Sequence, residues 1–272
     1  MAESNMHTRI ESSANAVYKH IKKLQTRNGR TKCNQYLAEG SRLVADAIAN
    51  GADIEYILIS ESYNMEFDSK NIKVYELSEK LFDSLKLTVN SQGVMAVVNY
   101  KVIPASSIDK EKTQTIVYLD RITDPGNMGT IIRSCDALGA DAVVLSKGCV
   151  DLYNPKVVRS TMASLLNVPV FFDDNPEVTL TELKEAGFGI AGTFPTDAKA
   201  CHTVDYNRKF VLVMGNEANG IGEDICKLCT ERITIPMLGR AESLNVATAL
   251  TVMLYEIMRG KIINQTKNRG DK

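Results

Sequence analysis

The spacing of apolar positions changes texture once along this chain. In the first part, Ala16, Val17, Ile21 and Leu24 recur at helical spacing. Short apolar runs follow at Tyr36-Leu-Ala38, Tyr56-Ile-Leu-Ile59 and Val94-Met-Ala-Val-Val98, with helical patterns at 42–50 and 78–85 between them. This predicts a small mixed α/β domain over residues 1–104. Residues 102–114 are polar, contain Pro104 and lack a helical stripe, so they read as a linker.

From residue 115 the pattern alternates strand and helix. Strand candidates are Thr115-Ile-Val-Tyr-Leu119, Ala142-Val-Val-Leu145, Val168-Pro-Val-Phe-Phe172, Gly189-Ile-Ala191, Phe210-Val-Leu-Val-Met214 and Ile233-Thr-Ile235. Helical patterns lie near 128–138, 155–165, 178–186, 222–229 and 243–258. Continuous β-branched runs separated by helices imply an α/β fold whose parallel sheet is covered by helices on both faces. Ligands of such sheets bind at the carboxyl ends of the strands.

Composition narrows the class. At roughly 150 residues per domain, 272 residues suggest two domains. A hydrophobic share of 44% and a charged share of 24% exclude a wholly disordered or collagen-like chain. No uncharged apolar run is long enough for a membrane span, and the opening MAESNMHTRIESS lacks the apolar core of a secretory signal. The net charge of −1 neither demands nor excludes nucleic acid. Cys33, Cys135, Cys149, Cys201, Cys226 and Cys229 are scattered, as befits a reducing cytoplasm. Cys226-Lys-Leu-Cys229 has no second CxxC and only His202 nearby, so structural thiols and no metal site are expected.

Charge is distributed less evenly than its total implies. Lys19, Lys22, Lys23, Arg27, Arg30 and Lys32 fall in a stretch without Asp or Glu. Such a stretch is either a solvated helix face or a surface for phosphates.

Three strand ends carry candidate chemistry. After Leu119 comes Asp120-Arg-Ile-Thr-Asp-Pro-Gly-Asn127, with strong turn residues. The following helix has Met128, Ile131, Ile132, Cys135 and Leu138 on one stripe, Arg133 beside it and Gly139 as C-cap. After Met214 comes the loop Gly215-Asn-Glu217-Ala-Asn-Gly220. After Ile235-Pro236 a loop leads to Ser243, a predicted N-cap, and to a helix stopped by Gly260. That helix is apolar nearly all round (Leu244, Val246, Ala247, Leu250, Val252, Met253, Leu254, Ile257), which predicts burial against another subunit as well.

In this order and spacing the three strand ends resemble the motifs of the SpoU (TrmH) family of RNA ribose 2′-O-methyltransferases, in the SPOUT superfamily. The matching residues are Asn127-Met-Gly129 with Arg133, Met214-Gly-Asn-Glu217 with Gly220, and Ile235-Pro236 with Ser243-Leu-Asn-Val-Ala247. Asn154-Pro-Lys-Val-Val-Arg-Ser-Thr-Met162 is similar to the family's intermediate stretch and adds Arg159. Tyr36-Leu-Ala-Glu-Gly-Ser-Arg-Leu-Val44, which contains Arg42, resembles the family's appended substrate-binding domain of the L30e type.

The resemblance implies an L30e-like RNA-binding domain before a methyltransferase domain over 115–262, with a C-terminal trefoil knot. It implies S-adenosyl-L-methionine as cofactor, held at Gly215, Ile235 and Leu244 largely through backbone groups. The implied catalytic set is Asn127, Arg133, Glu217, Ser243 and Asn245. RNA, 23S ribosomal rather than transfer RNA, is the implied substrate, contacted by Lys19, Lys22, Lys23, Arg27, Arg30, Lys32, Arg42 and Arg159. A cytoplasmic homodimer joined through the last helix is implied too. The family assigns hydroxyl activation to the arginine matched by Arg133. A guanidinium is almost always protonated, so the expectation here is a clamp on the neighbouring phosphate that also stabilises developing alkoxide charge.

Two alternatives stand beside this one, a transfer RNA methyltransferase and a catalytically silent RNA-binding or ribosome-assembly protein. Intact Asn127, Arg133, Glu217 and Asn245 weigh against the silent one. Gly187-Phe-Gly189-Ile-Ala-Gly192 is a literal GxGxxG, but it follows a helical pattern and enters a strand, the reverse of the dinucleotide fingerprint. It reads as a helix cap and strand start.

Overall fold

The computed structural model describes residues 8–64, 69, 72–206 and 208–270, with side chains to residue 262. In chain order the elements are β1 (Thr8–Ile10), α1 (Ala16–Leu24), α2 (Arg27–Cys33), β2 (Gln35–Glu39), α3 (Ser41–Ala49), β3 (Ile54–Ser60), β4 (Val74–Leu77), α4 (Glu79–Asp83) and β5 (Val94–Asn99). Then come β6 (Thr115–Leu119), α5 (Pro125–Leu138), β7 (Ala142–Ser146), α6 (Pro155–Ser160), β8 (Val170–Asp173), α7 (Pro176–Glu185), β9 (Gly189–Thr193), β10 (Lys199–Ala200), β11 (Phe210–Met214), α8 (Glu223–Leu228), β12 (Glu231–Thr234) and α9 (Val246–Gly270). None of the described helices is long and apolar enough to cross a membrane.

The chain divides into two compact units. The first holds residues 1–101 together with 151–166. Its sheet has the order β1-β4-β3-β5-β2, with β5 antiparallel to β2 and β3 and the remaining pairs parallel. Alternate residues feed two cores. Leu37, Leu58, Met95 and Val97 pack with Ile21 and Leu24 of α1 and Phe82 of α4. Ala38, Ile57, Val94 and Ala96 pack with Val44 and Ile48 of α3 and Val158 of α6. Burial on both faces explains why these strands read as unbroken apolar runs. β1 and β4 left no such run because they are short and partly exposed.

The second unit holds residues 102–150 and 167–272. Its sheet is parallel throughout, in the order β10-β12-β9-β11-β6-β7-β8. Ile116, Tyr118, Val144, Ile190 and Val211 face Leu180 and Leu183 of α7 and Ile225 of α8 in one core. Helices α5 and α9 pack against each other, with Met128, Ile131, Ile132, Cys135, Leu250, Met253 and Ile257 buried.

Several expectations are corrected. Residues 102–114 are no free linker. The Phe172 N–H donates to the Ile103 carbonyl at 2.8 Å, and Ala105 and Ile108 are buried in the core of the second unit. Ser243 does not cap α9. Asn245 does, its Oδ1 accepting from the Ala247 and Thr248 N–H groups at 2.9 and 3.3 Å. Nor does Gly260 end that helix, which runs on to Gly270. A glycine stops a helix only where the backbone turns left-handed, and Gly260 has no positive φ. It is an ordinary position of the helix, with Tyr206 3.5 Å from where a Cβ would stand, a normal van der Waals distance. The GxGxxG segment does divide between the end of α7 and β9, with Gly187 at φ +87°.

Candidate active site

Three segments converge at the carboxyl ends of β6, β11 and β12. The first is set by Asp120, whose backbone N–H donates to the Met214 carbonyl at 2.8 Å and ties β6 to β11. Its buried carboxylate accepts from Arg121 at 2.7 and 2.8 Å and from the Gly222 N–H at 2.8 Å. Asp124 then caps α5 by accepting from the Asn127 N–H at 2.8 Å, and Pro125 occupies the first turn, where no N–H is missed.

The second segment, 215–220, folds back on itself. Asn216 and Gly220 exchange backbone hydrogen bonds at 3.0 and 2.9 Å. A Cβ on Gly215 would stand 2.3 Å from the backbone of Gly220 and Ile221, so only glycine permits the turn. The Asn216 carboxamide closes it, accepting from the Ala218 and Asn219 N–H groups and donating to the Arg121 carbonyl at 2.8 Å.

Glu217 reaches from this turn to the first segment. Its carboxylate accepts from Asn127 Nδ2 at 3.0 Å, from the Thr123 and Asp124 N–H groups at 3.4 and 3.3 Å, and from the Thr123 hydroxyl at 3.3 Å. Partial burial acts to raise its pKa, but these hydrogen bonds, that of Asn127 foremost, outweigh it and hold the carboxyl below its usual range. The third segment joins through Asn245, whose Nδ2 donates to Asn127 Oδ1 at 2.9 Å. Asn127 thus has both ends of its carboxamide engaged, one on each neighbouring loop.

Beside this relay lies a cavity of about 480 Å³. Gly215, Ile235 and Leu244 line it, as do Glu217, Ser243 and Asn245. Asn127 and Arg133 do not. Arg133 is exposed on α5, with no hydrogen bond or ion pair among the described residues. Thr193, Phe194 and Met253 are among the further lining residues that sequence reasoning missed. The rule that ligands sit at strand ends could have found Thr193 and Phe194, at the end of β9. Arg232 lies over the Phe194 ring, 3.6 Å from its centroid.

The cations expected on RNA belong to the first unit. Lys19, Lys22 and Lys23 are exposed on α1, and Arg27 and Lys32 on α2. Lys22 bonds the Ser84 carbonyl. Arg30 is not presented to solvent. At 3% exposure its guanidinium pairs with Asp151 at 2.6 and 3.0 Å and donates to the Leu24 and Gln25 carbonyls. Arg42 and Arg159 are exposed and line one cavity of that unit. Burial raises the pKa of the Cys229 thiol of the CxxC to about 11.

Residues 114–255 match the family described as SpoU rRNA Methylase family, and residues 15–96 match the MRM3-like substrate binding domain. The chain is 34% identical over 252 residues to the 23S rRNA (guanosine(2553)-2′-O)-methyltransferase of Bacillus subtilis, covering 91% of this chain and 98% of that protein. It is 29% identical over 255 residues to the 23S rRNA (uridine(2479)-2′-O)-methyltransferase of Streptomyces viridochromogenes, covering 89% of each. The crystal structure of an AdoMet-bound rRNA methyltransferase from Sinorhizobium meliloti superposes with a TM-score of 0.83 at 30% identity, covering 93% of this chain and 97% of that one.

Proposed function

The chain belongs to the SpoU rRNA methylase family, and from that premise we propose that it transfers a methyl group from S-adenosyl-L-methionine to a ribose 2′-OH of 23S ribosomal RNA. The observation that carries this reading is the relay Glu217–Asn127–Asn245, which draws the three motif segments together beside one cavity.

The cavity fits such a cofactor. Its volume lies within the range of about 300–1,000 Å³ usual for small-molecule sites. Its described lining includes Glu217 and Glu242 and no Lys, Arg or His, which suits a ligand carrying a sulfonium and an ammonium. Gly215, Ile235 and Leu244 would hold it, with Phe194 and Met253 as apolar walls. When bound, the cofactor supplies an electrophilic methyl group, so the difficult chemistry is its own.

The protein's share is alignment. Asn127 is a positioning residue, because both ends of its carboxamide are spent on the loops. Glu217 and the Asn245 cap hold the cavity mouth, and Ser243 lies at that mouth for the substrate nucleotide. Arg133, exposed and without an ion pair among the described residues, is suited to clamp the phosphate beside the reacting ribose and to stabilise alkoxide charge. Val252, Tyr255 and Ile262 stay exposed on α9, which supports a homodimer through that helix. The trefoil knot is proposed from the family resemblance alone; the chain after β12 returns to Asn127 beside the turn that lines the same cavity. We place the protein in the cytoplasm with its RNA.

Incubating the full chain with deproteinised ribosomal RNA and isotopically labelled cofactor tests this. The expected product is a single 2′-O-methylated ribose located by mass spectrometry. RNA binding without cofactor affinity in calorimetry would sink the enzymatic reading.

A further inference from the structure

A second cavity, of about 580 Å³, opens within the first unit. One wall is the end of β2 and the start of α3, with Glu39, Arg42 and Leu43. A second is the loop of residues 87–92, and Arg159 and Met162 close the third. The loop is pinned at both ends. Glu39 accepts from the Leu87 N–H at 2.8 Å and from the Thr88 hydroxyl at 3.0 Å. Gln92 accepts from the Ser41 N–H at 2.8 Å.

Between these pins the loop offers two unengaged groups to the cavity. Val89 is 90% exposed, and the Asn90 carboxamide makes no hydrogen bond among the described residues. Met162, held at φ +50°, lines the same space and is 46% exposed. Two arginines far apart in the sequence meet at this one cavity. Among the described residues Arg42 makes one ion pair, with Asp46 at 3.8 Å on an exposed face, and Arg159 makes none.

We propose that this cavity seats one unstacked nucleotide of the RNA substrate, its phosphate on Arg42 and Arg159 and its base against Val89, Met162 and Asn90. The inference rests on RNA being the substrate, as proposed above. Cationic side chains meet a backbone phosphate, an apolar surface meets a base face, and a free carboxamide pairs with a base edge. Glu39 and Asp46 also border the cavity. Their carboxylates disfavour a free phosphate ion and can accept from base N–H groups, so the set fits a nucleotide within a strand.

The test uses the full chain and deproteinised ribosomal RNA across a salt series, with methyl transfer measured on the same RNA. Val89→Asp and Asn90→Ala should each weaken binding several-fold or more. Arg42→Ala and Arg159→Ala should each lower the slope of log affinity against log salt by about 0.7–1. Val178→Asp, an exposed change on α7, should leave affinity within twofold. RNA carrying 4-thiouridine should crosslink to residues 87–92 or to Met162. Cofactor affinity, unchanged in all variants, would confirm that they fold. Unaltered RNA affinity and salt slope in all four cavity variants, with the wild type still methylating, overturns the assignment and leaves the cavity to a protein partner. Failure of the wild type to bind or methylate the RNA overturns the proposed function and this inference together.

Discussion

Asn245 donates to Asn127 at 2.9 Å across 118 residues of sequence. One hydrogen bond therefore joins the cap of α9 to the first turn of α5, and through Asn127 the link extends to Glu217.

Cutting the relay should cost activity more than stability. A hydrogen bond to a charged partner contributes about 1.5–3 kcal/mol, so Asn127→Ala should slow methyl transfer by roughly tenfold or more. Its unfolding midpoint should fall only slightly, because Asn127 is partly exposed. Asn245→Ala combined with it should cost less than the two single changes added together. Strict additivity in that cycle would disconnect the two residues.

Glu217 predicts an acid limb. Its carboxyl sits below the usual range in the folded protein, so its contribution is present above the unfolded-state pKa of about 4.3 and is lost as pH falls through the folded value. The thermal midpoint should hold from neutrality down to the ordinary carboxylate range and fall below it. Glu217→Gln should remove that component. An identical acid limb in the variant would assign it to another group.

Gly215→Ala should abolish detectable cofactor binding, since its methyl would overlap the Gly220 and Ile221 backbone. Gly239→Ala meets nothing within 4 Å and serves as the control. Normal affinity in Gly215→Ala would mean that the 215–220 turn does not shape the cavity.

Arg30 and Lys23 should part company although they lie in one cationic run. Removing one partner of a buried ion pair costs about 3–5 kcal/mol, so Arg30→Ala should lower the thermal midpoint sharply. Lys23→Ala should leave it unchanged while reducing the salt dependence of RNA binding. Equal midpoints would remove the structural role from the Arg30–Asp151 pair.

Arg133→Lys tests the clamp. Lysine keeps the charge but loses the forked geometry, so methyl transfer should fall well below the wild-type rate. Near-normal activity would count against a bidentate contact.

Much of the fold was legible beforehand because burial on both faces writes itself into sequence. β6, β7 and β11 are buried at every position and apolar at all but Thr115 and Ser146, and only helices between them keep such strands parallel. Gly215, Ile235 and Leu244, named through the family resemblance, all line one cavity. Ser243 was misread as a cap for a physical reason. Serine and asparagine both cap helices well, and two residues of loop decide which one meets the first free N–H groups.

By itself the sequence determined the long buried strands of both sheets, though not the short β1, β4 and β10, and which strand ends bear polar loops. These follow from local spacing. Only the tertiary structure decided that Arg30 is buried rather than offered to RNA, that residues 151–166 join the first unit and bring Arg159 to the cavity of Arg42, and that Asn127 is spent on Glu217 and Asn245. A side chain's partner is set by which distant segment arrives beside it, and spacing along a chain carries no measure of that distance.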